Sequence, residues 1–279
     1  MSRAVSFFIA ILFLAAPGSL PVQAAQPLTI ADGITPLLNK IEMQRYNWLG
    51  YKAEIKMRFT TRQGQTAACR GELTYYRLEE RLLLQCYNSN KNTLFIFKTN
   101  DLDFDLFLPM QKTLYKGNIF DLEFSDNIDS HIKPYDLYRG LKPMLIPFDK
   151  VKLESQDKVL TTFLVMDNRH GKNFWGRRAQ AETAKGDVLA ETYFDPAGQT
   201  ELLIRRSDFK KVSGRGKISR DPLRFPFRVR LQNYKDNTET EILFLNLEVI
   251  KNPPEGDWRI VLPQGTQTMV FPKVDFNSQ

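Results

Sequence analysis

The sequence predicts a mainly β (α+β) protein, a single curved antiparallel sheet forming an incomplete, half-open barrel lidded by short helices. Three observations predict it. Apolar residues recur with a period of two in run after run, as they do along a half-buried strand. Short clusters of turn residues separate those runs, which makes neighbouring strands antiparallel by default. Helical spacing interrupts the pattern only twice. So many strands in meander order must close or be covered, and a sheet that curls part of the way makes a concave face that helices can line or lid.

The chain has 279 residues and is 42% hydrophobic, which is a globular composition rather than a disordered one. With no linker-like composition, low-complexity tract or exact repeat, residues 25–279 are expected to form one domain. There are 39 basic and 32 acidic side chains, a net charge of +7. That balance favours anionic surfaces such as phospholipid headgroups, but does not by itself separate membranes from nucleic acid. Phenylalanine alone contributes 20 residues, a large apolar payload for a core or a pocket.

The N-terminus predicts the compartment. Arg3 precedes a short apolar run from Ala4 to Ala16, Pro17 to Pro21 breaks it, and Val22-Gln23-Ala24 offers a cleavage site. Residues 1–24 therefore read as a secretory signal peptide, too short to remain as a membrane span. No cysteine lies near the cut to carry a lipid. The mature protein is expected to be exported and soluble, in the periplasm if the source is Gram-negative, and export disfavours nucleic acid as a partner.

In chain order, Thr35 suits a helix N-cap and Pro36 the first helical position, with Leu37, Leu38, Ile41 and Arg45 at helical spacing. This helix either lids the sheet or packs on it in the ordinary way. From Trp48 the period becomes two. Leu49, Tyr51, Ala53, Ile55, Met57 and Phe59 alternate with polar or charged residues in the cleanest strand of the chain. Turns at Thr60 to Gln65 and Asn88 to Asn92 separate strands expected at Thr66 to Arg77, Arg81 to Tyr87 and Thr93 to Lys98. A fifth strand, marked by Phe104, Leu106 and Leu108, is expected to run through Pro109 into Thr113 to Gly117. Around Ile128 to Lys142 the pattern breaks into a short helix or helical loop beginning near Pro134. Strands resume at Val159 to Met166, Asn173 to Thr183, Val188 to Phe194 and Thr200 to Arg206. Asp195-Pro196-Ala197-Gly198 is a hairpin turn, since Pro presets φ and Gly supplies the left-handed position. Ser207 to Ser219 reads as a basic connector or strand pair, followed by strands at Thr240 to Ile250 and Trp258 to Leu262. The tail after Gly265 is weakly patterned.

Pro222 to Tyr234 organises the functional reading. Leu223, Phe225, Phe227, Val229 and Leu231 fall on one face of an extended chain, with Arg224, Arg228 and Arg230 on the other; Pro226 marks an edge strand or a bulge. The inner face, with the strand from Leu49, predicts an apolar cavity lined by Leu49, Tyr51, Ile55, Met57, Phe59, Phe225, Phe227 and Val229. The outer face belongs to a wider basic cluster, from which Arg205, Arg206, Arg224, Arg228 and Arg230 are candidates for docking to anionic lipid or an acidic partner. A plain solvated sheet face is the other reading of that cluster.

Cys69 and Cys86 are the only cysteines. They lie on consecutive strands joined by a turn centred on Arg77 and Leu78. If that turn is tight the two face each other directly, and an exported protein would oxidise them to a disulfide.

Several segments together resemble the LolA/LolB-like lipoprotein-carrier superfamily. Leu245 to Pro254 followed by Trp258 to Gly265 is similar to its closing motif, a strand ending in Asn-Pro-Pro and then a Pro-x-Gly. Phe107-Leu108-Pro109 with Leu114 to Gly117, Ile132 to Leu137, and the Tyr193 to Gly198 turn resemble further segments in the same order. The resemblance spans most of the mature chain. It implies a half-open β-barrel lidded by helices, whose apolar cavity receives acyl chains. The expected function is that of a periplasmic carrier or binder of lipid or lipoprotein acyl chains, as in outer-membrane lipoprotein sorting. The alternative is a non-transporting protein-interaction or envelope-sensing module of the same fold. No individual functional residue carries over, because the chain is longer and the carrier's functional arginine has no matching position.

Other chemistry finds little support. His131 and His170 are far apart, without ligands at metal-binding spacing. Ser213 to Lys217 lacks the first glycine of a phosphate loop, Lys211 standing in its place. Asp101-x-Asp103-x-Asp105 has Leu106 where a calcium loop needs Gly. No nucleophile, base and orienter assemble into a catalytic set. No enzyme activity, metal or cofactor is expected.

Overall fold

The computed structural model describes residues 33–46, 48–119, 134–169, 172–212, 223–250 and 258–271. The signal segment, His131, His170 and the glycine-rich Ser213 to Lys217 lie outside them. Among the described residues the first helix, α1, spans Thr35–Tyr46. A meander of six strands follows: β1 (Gly50–Thr60), β2 (Thr66–Tyr76), β3 (Arg81–Tyr87), β4 (Thr93–Asn100), β5 (Asp103–Leu108) and β6 (Thr113–Asn118). Helix α2 (Pro134–Leu141) precedes a second meander of seven: β7 (Val151–Gln156), β8 (Leu160–Arg169), β9 (Lys172–Glu182), β10 (Val188–Phe194), β11 (Thr200–Val212), β12 (Leu223–Asn233) and β13 (Thr238–Ile250). The last strand is β14 (Gln267–Val270).

These strands form one sheet, in the order β14-β6-β5-β4-β3-β2-β1-β13-β12-β11-β10-β9-β8-β7. The seam between the meanders is the antiparallel β1–β13 ladder, from Gly50 opposite Ile250 to Thr60 opposite Glu239. Every ladder is antiparallel except β14 beside β6, which is parallel. β14 and β7 stand at opposite ends of the order, so the sheet is open rather than a closed barrel, as the resemblance implies.

Burial follows the period of two. On β1, Tyr51, Ala53, Ile55, Met57 and Phe59 are buried, and Lys52, Glu54, Lys56 and Arg58 are exposed. The concave face and α2 share the larger core. Gly140 lets α2 lie flush on the sheet, since a Cβ there would come within 2.5 Å of Leu231 Cδ2. A second apolar cluster sets Leu37, Leu38 and Ile41 of α1 against Phe163, Val165, Ala179 and Ala181 of β8 and β9.

Four local expectations are corrected. β5 does not run on through Pro109: a 3-10 turn at Pro109–Gln111 reverses the chain, and β6 returns antiparallel to β5. Trp258 to Leu262 is not a strand. Gly265, at φ +83°, turns the chain there, and the weakly patterned tail forms β14 instead. The strand β7 has no regular alternation, with only Val151 buried, and was not expected. The β2–β3 hairpin pairs Tyr76 with Arg81 across a four-residue turn, which places Gly71, not Cys69, opposite Cys86.

The disulfide forms all the same, as a diagonal pair with Cα atoms 5.9 Å apart. Gly71 makes the room: a Cβ at that position would lie 3.3 Å from Cys86 Sγ. The bridge sits in the core beside Met57, whose sulfur is 3.9 Å from that of Cys86.

Candidate functional site: a cleft under the helices

The site arises where the sheet splits. β12 pairs with β13 only from Arg228 to Asn233. Beyond that point β13 continues on β1 alone, with a register shift that leaves Leu245 out of the β1–β13 ladder. Among the described residues the first half of β12 is thereby left with β11 as its only neighbour. Pro226, which has no N–H to donate, lies in this one-sided half, as a strand proline should.

Between the diverging strands and the helices lies a cleft of about 100 Å³. It is walled by Ile41, Gln44 and Arg45 of α1, Trp48, Leu141 to Met144, Gly186, Val188, Arg206, Phe209, Leu223 to Pro226, Val229 and Phe244. Its floor is aromatic. The ring of Phe225 meets those of Tyr51 and Phe244 at 5.0 Å each and that of Trp48 at 6.3 Å. The tilted and edge-on geometries are the favourable ones for such clusters. Asp208 takes a left-handed φ of +57° in mid-strand, and Arg206 and Phe209, three residues apart, reach the same cleft.

Polar contacts fix the walls. Tyr51 Oη donates to the Leu141 carbonyl at 2.9 Å, tying the end of α2 to the sheet. Burial pushes the Tyr51 phenol well above its ordinary range. Lys40 Nζ and Gln44 Nε2 of α1 donate to the carbonyls of Ala184 and Lys185 in the β9–β10 turn. That turn supplies Asp187, whose side chain is 1% exposed and accepts from Arg224 Nε at 2.7 Å. Deeper in, Arg206 Nη1 stands 2.5 Å from Glu191 Oε1, with both side chains buried. Tyr193 Oη donates to the other oxygen of Glu191 at 3.1 Å, and burial, followed by that carboxylate, raises the Tyr193 phenol.

Across Lys142, Pro143 and Met144 lies a second, larger groove of about 360 Å³, bounded by Tyr135, Tyr138, Arg139, Arg177 and Tyr193. Its arginines are held in place: Arg177 donates to Asp167 and to the Leu145 carbonyl, and Arg139 stacks over the rings of Tyr135 and Tyr193. Among the described residues no group of histidine, cysteine and carboxylate side chains is arranged to hold a metal ion. Asp105 of the aspartate triplet instead meets Lys98 and Lys116.

The cavity residues named from the sequence divide. Phe225 and Val229 line the cleft. Tyr51 and Phe227 pack against it, Tyr51 beneath Phe225 and Phe227 beside it. Ile55, Met57 and Phe59, at most 5% exposed, belong to the filled core. Leu49 is half-buried, while its neighbour Trp48, assigned to the polar side by alternation, is in the aromatic floor because the strand begins only at Gly50.

The basic residues divide as well. Arg205, Arg228 and Arg230 face outward, the last two sharing Glu241 at 3.3 and 3.0 Å. Arg206 and Arg224 do not join them. Each turns toward a buried carboxylate and lines the cleft, because Arg206 lies across the ladder from the buried Val229 and because Asp187 draws Arg224 inward. The sequence carried a signal for Arg206, which follows Leu202 and Ile204 at a period of two and so shares their buried face, as Glu191 shares that of Tyr193; nothing local marked Asp187 or the inward turn of Arg224.

No family model and no curated protein matches the sequence. Solved structures do match in fold. A Vibrio parahaemolyticus domain described as outer membrane lipoprotein-sorting aligns with a TM-score of 0.59 at 12% identity, covering 79% of this chain and 93% of that one. A DUF1329 family protein from Desulfovibrio piger aligns at 0.56 and 12% identity, over 80% and 96% of the two chains. A LolA superfamily protein from Nitrosomonas europaea aligns at 0.53 and 11% identity, over 78% and 94%. The resemblance read from the motifs is therefore met at the level of architecture: the chain has the LolA-like open-barrel fold.

Proposed function

We propose that the protein is an exported binder or carrier of lipid or lipoprotein acyl chains, which it takes into the cleft beneath α1. The observation that carries this reading is the cleft itself, aromatic and aliphatic, on the concave face of an open sheet and walled by two helices. The description of the Vibrio neighbour as lipoprotein-sorting supports the same ligand class. At about 100 Å³ the cleft is smaller than the 300–1,000 Å³ typical of ligand sites. An acyl chain therefore enters when α1 or the Lys142 to Met144 segment withdraws. Among the described residues no helix is long and apolar enough to cross a membrane, which accords with export to the periplasm of a Gram-negative cell. The outward Arg205, Arg228 and Arg230 would dock the loaded protein on anionic lipid; such binding weakens steeply with salt, since exposed charges are screened over about 8–10 Å near physiological ionic strength. No step of this function requires catalysis or a cofactor.

The test is organic extraction of the purified mature protein followed by mass spectrometry, together with uptake of the neutral fluorophore N-phenyl-1-naphthylamine. A co-purified acyl lipid and saturable uptake are expected. Neither lipid nor uptake would refute the reading in favour of a non-transporting protein-interaction module. The observation on that side is the filled core at Ile55, Met57 and Phe59.

A further inference from the structure

Among the described residues four cationic side chains reach the wall of the cleft: Arg45, Lys142, Arg206 and Arg224. Each is backed by a carboxylate, Glu42, Glu80, Glu191 and Asp187 respectively. Among the described residues no aspartate or glutamate lines the cleft itself, so those four present donors with their counter-charges behind. Three of the cations are hydrogen-bonded there. Arg45 donates to Glu42, Arg224 donates to Asp187, and Lys142 donates to the Tyr138 hydroxyl.

Arg206 differs. Its side chain is only 8% exposed. Its contact with Glu191 is an ion pair without hydrogen-bond geometry, and neither Nη1 nor Nη2 has a hydrogen-bond partner among the described residues. A guanidinium is a planar fork of donors, and buried donors left unmade are costly. An oxygen acceptor presented from the cleft side, beside Trp48, Phe225 and Phe244, would complete this one once the wall gives way to a ligand, since Nη1 and Nη2 are themselves buried.

We infer that Arg206 anchors the oxygen-bearing end of an acyl ligand, with the hydrocarbon lying along the aromatic floor. This rests on the acyl-binding reading and adds a polarity to it: the head lies against Arg206 and the tail away from it. The oxygen is the carboxylate of a fatty acid or the carbonyl of an acyl ester, both of which suit a paired guanidinium, whereas an alkane offers it nothing. Arg206 is thus a specificity residue, separating acyl groups from hydrocarbon of the same length.

The test is displacement of N-phenyl-1-naphthylamine by decanoic acid, methyl decanoate and decane. Arg206→Met alone strands the Glu191 carboxylate and is expected to misfold. The double variant Arg206→Met/Glu191→Gln removes both charges and leaves an acceptor for Tyr193, so it keeps the measurement possible. The readout is the ratio of ester to decane affinity, compared between wild type and variant, which cancels differences in hydration of the competitors. A hydrogen bond to a charged group corresponds to roughly tenfold or more in affinity, so that ratio should fall at least about tenfold while the fluorophore still binds. In wild type, tighter binding of the acid than of the ester identifies a carboxylate; equal binding identifies a carbonyl. An unchanged ratio overturns the role of Arg206 and leaves acyl binding standing. Failure of every competitor to displace the fluorophore from wild type overturns both.

Discussion

Gly186 controls how firmly α1 closes the cleft. It sits in the β9–β10 turn at φ +75°, and a Cβ there would lie 3.0 Å from Lys40 Cβ and 3.3 Å from the Ile41 backbone nitrogen. Gly186→Ala therefore carries two costs. The left-handed backbone is worth roughly 1–2 kcal/mol against any residue with a Cβ. The methyl also presses on α1 itself, whose backbone must shift or let go. Because Lys40 and Gln44 hold α1 to this same turn, the strain falls on the α1 attachment rather than on the sheet. Overpacking of that kind costs roughly 1–3 kcal/mol; at about 2 kcal/mol and tenfold per 1.4 kcal/mol, opening of α1 should become about thirtyfold more frequent. Amide hydrogen exchange read by mass spectrometry should accelerate by that factor in the α1 peptide and remain slow in β1 and β2, and fluorophore uptake should quicken. Gly198→Ala is the control. Gly198 has φ +82° but no heavy atom within 4 Å of its Cβ position, so the substitution meets the backbone cost without touching α1. Indistinguishable α1 exchange in the two variants would refute the claim that this turn latches the helix.

Three further predictions follow from the same geometry. The Cys69–Cys86 bond closes a loop with a sequence separation of 17, and removing it should lower stability by about 3 kcal/mol in the chain-entropy model, read as a shifted urea midpoint. Two thiols alkylated without prior reduction would show that the bond is not there. Ile55 is 0% exposed, so Ile55→Glu should unfold the protein or destabilise it by several kcal/mol, because an unpaired charge in the core has nothing to repay its lost hydration; a native-like circular dichroism melt would contradict the inward placement. The raised phenols of Tyr51, Tyr75 and Tyr193 bear on alkaline stability. Each is protonated in the folded state at a pH where the unfolded chain ionises. Their contribution is fully present below about pH 10 and is lost as pH rises toward the folded values. Urea midpoints should therefore hold up to about pH 10 and fall as pH rises beyond it, and less so in Tyr51→Phe; a midpoint independent of pH in that range would argue against the burial.

The sequence by itself determined what local sterics and periodicity control. Alternation along Tyr51 to Phe59 named the buried face of β1, Pro36 announced α1, though Ile34 rather than Thr35 is its cap, and the Asp195 to Gly198 turn forms with Gly198 at φ +82° and its N–H on the Asp195 carbonyl. A period of two says which residues share a face, and that much survives any arrangement of the strands. Tertiary structure alone decided what depends on partners remote in the chain. The β1–β13 ladder joins Gly50 to Ile250, and the cleft opens where β12 departs from β13; Pro226 marks that stretch as an edge, but only the long-range pairing says which strand is left behind. Alternation put Arg224 on the outer face, yet it turns inward because its carboxylate, Asp187, comes from another stretch of chain; Arg206, grouped by charge with the outer cluster, lies on the buried face of Leu202 and Ile204 and meets Glu191 there. Even the disulfide register moved by two residues, since four residues, not two, make the β2–β3 turn, and a hairpin's pairing is set by its loop before its side chains.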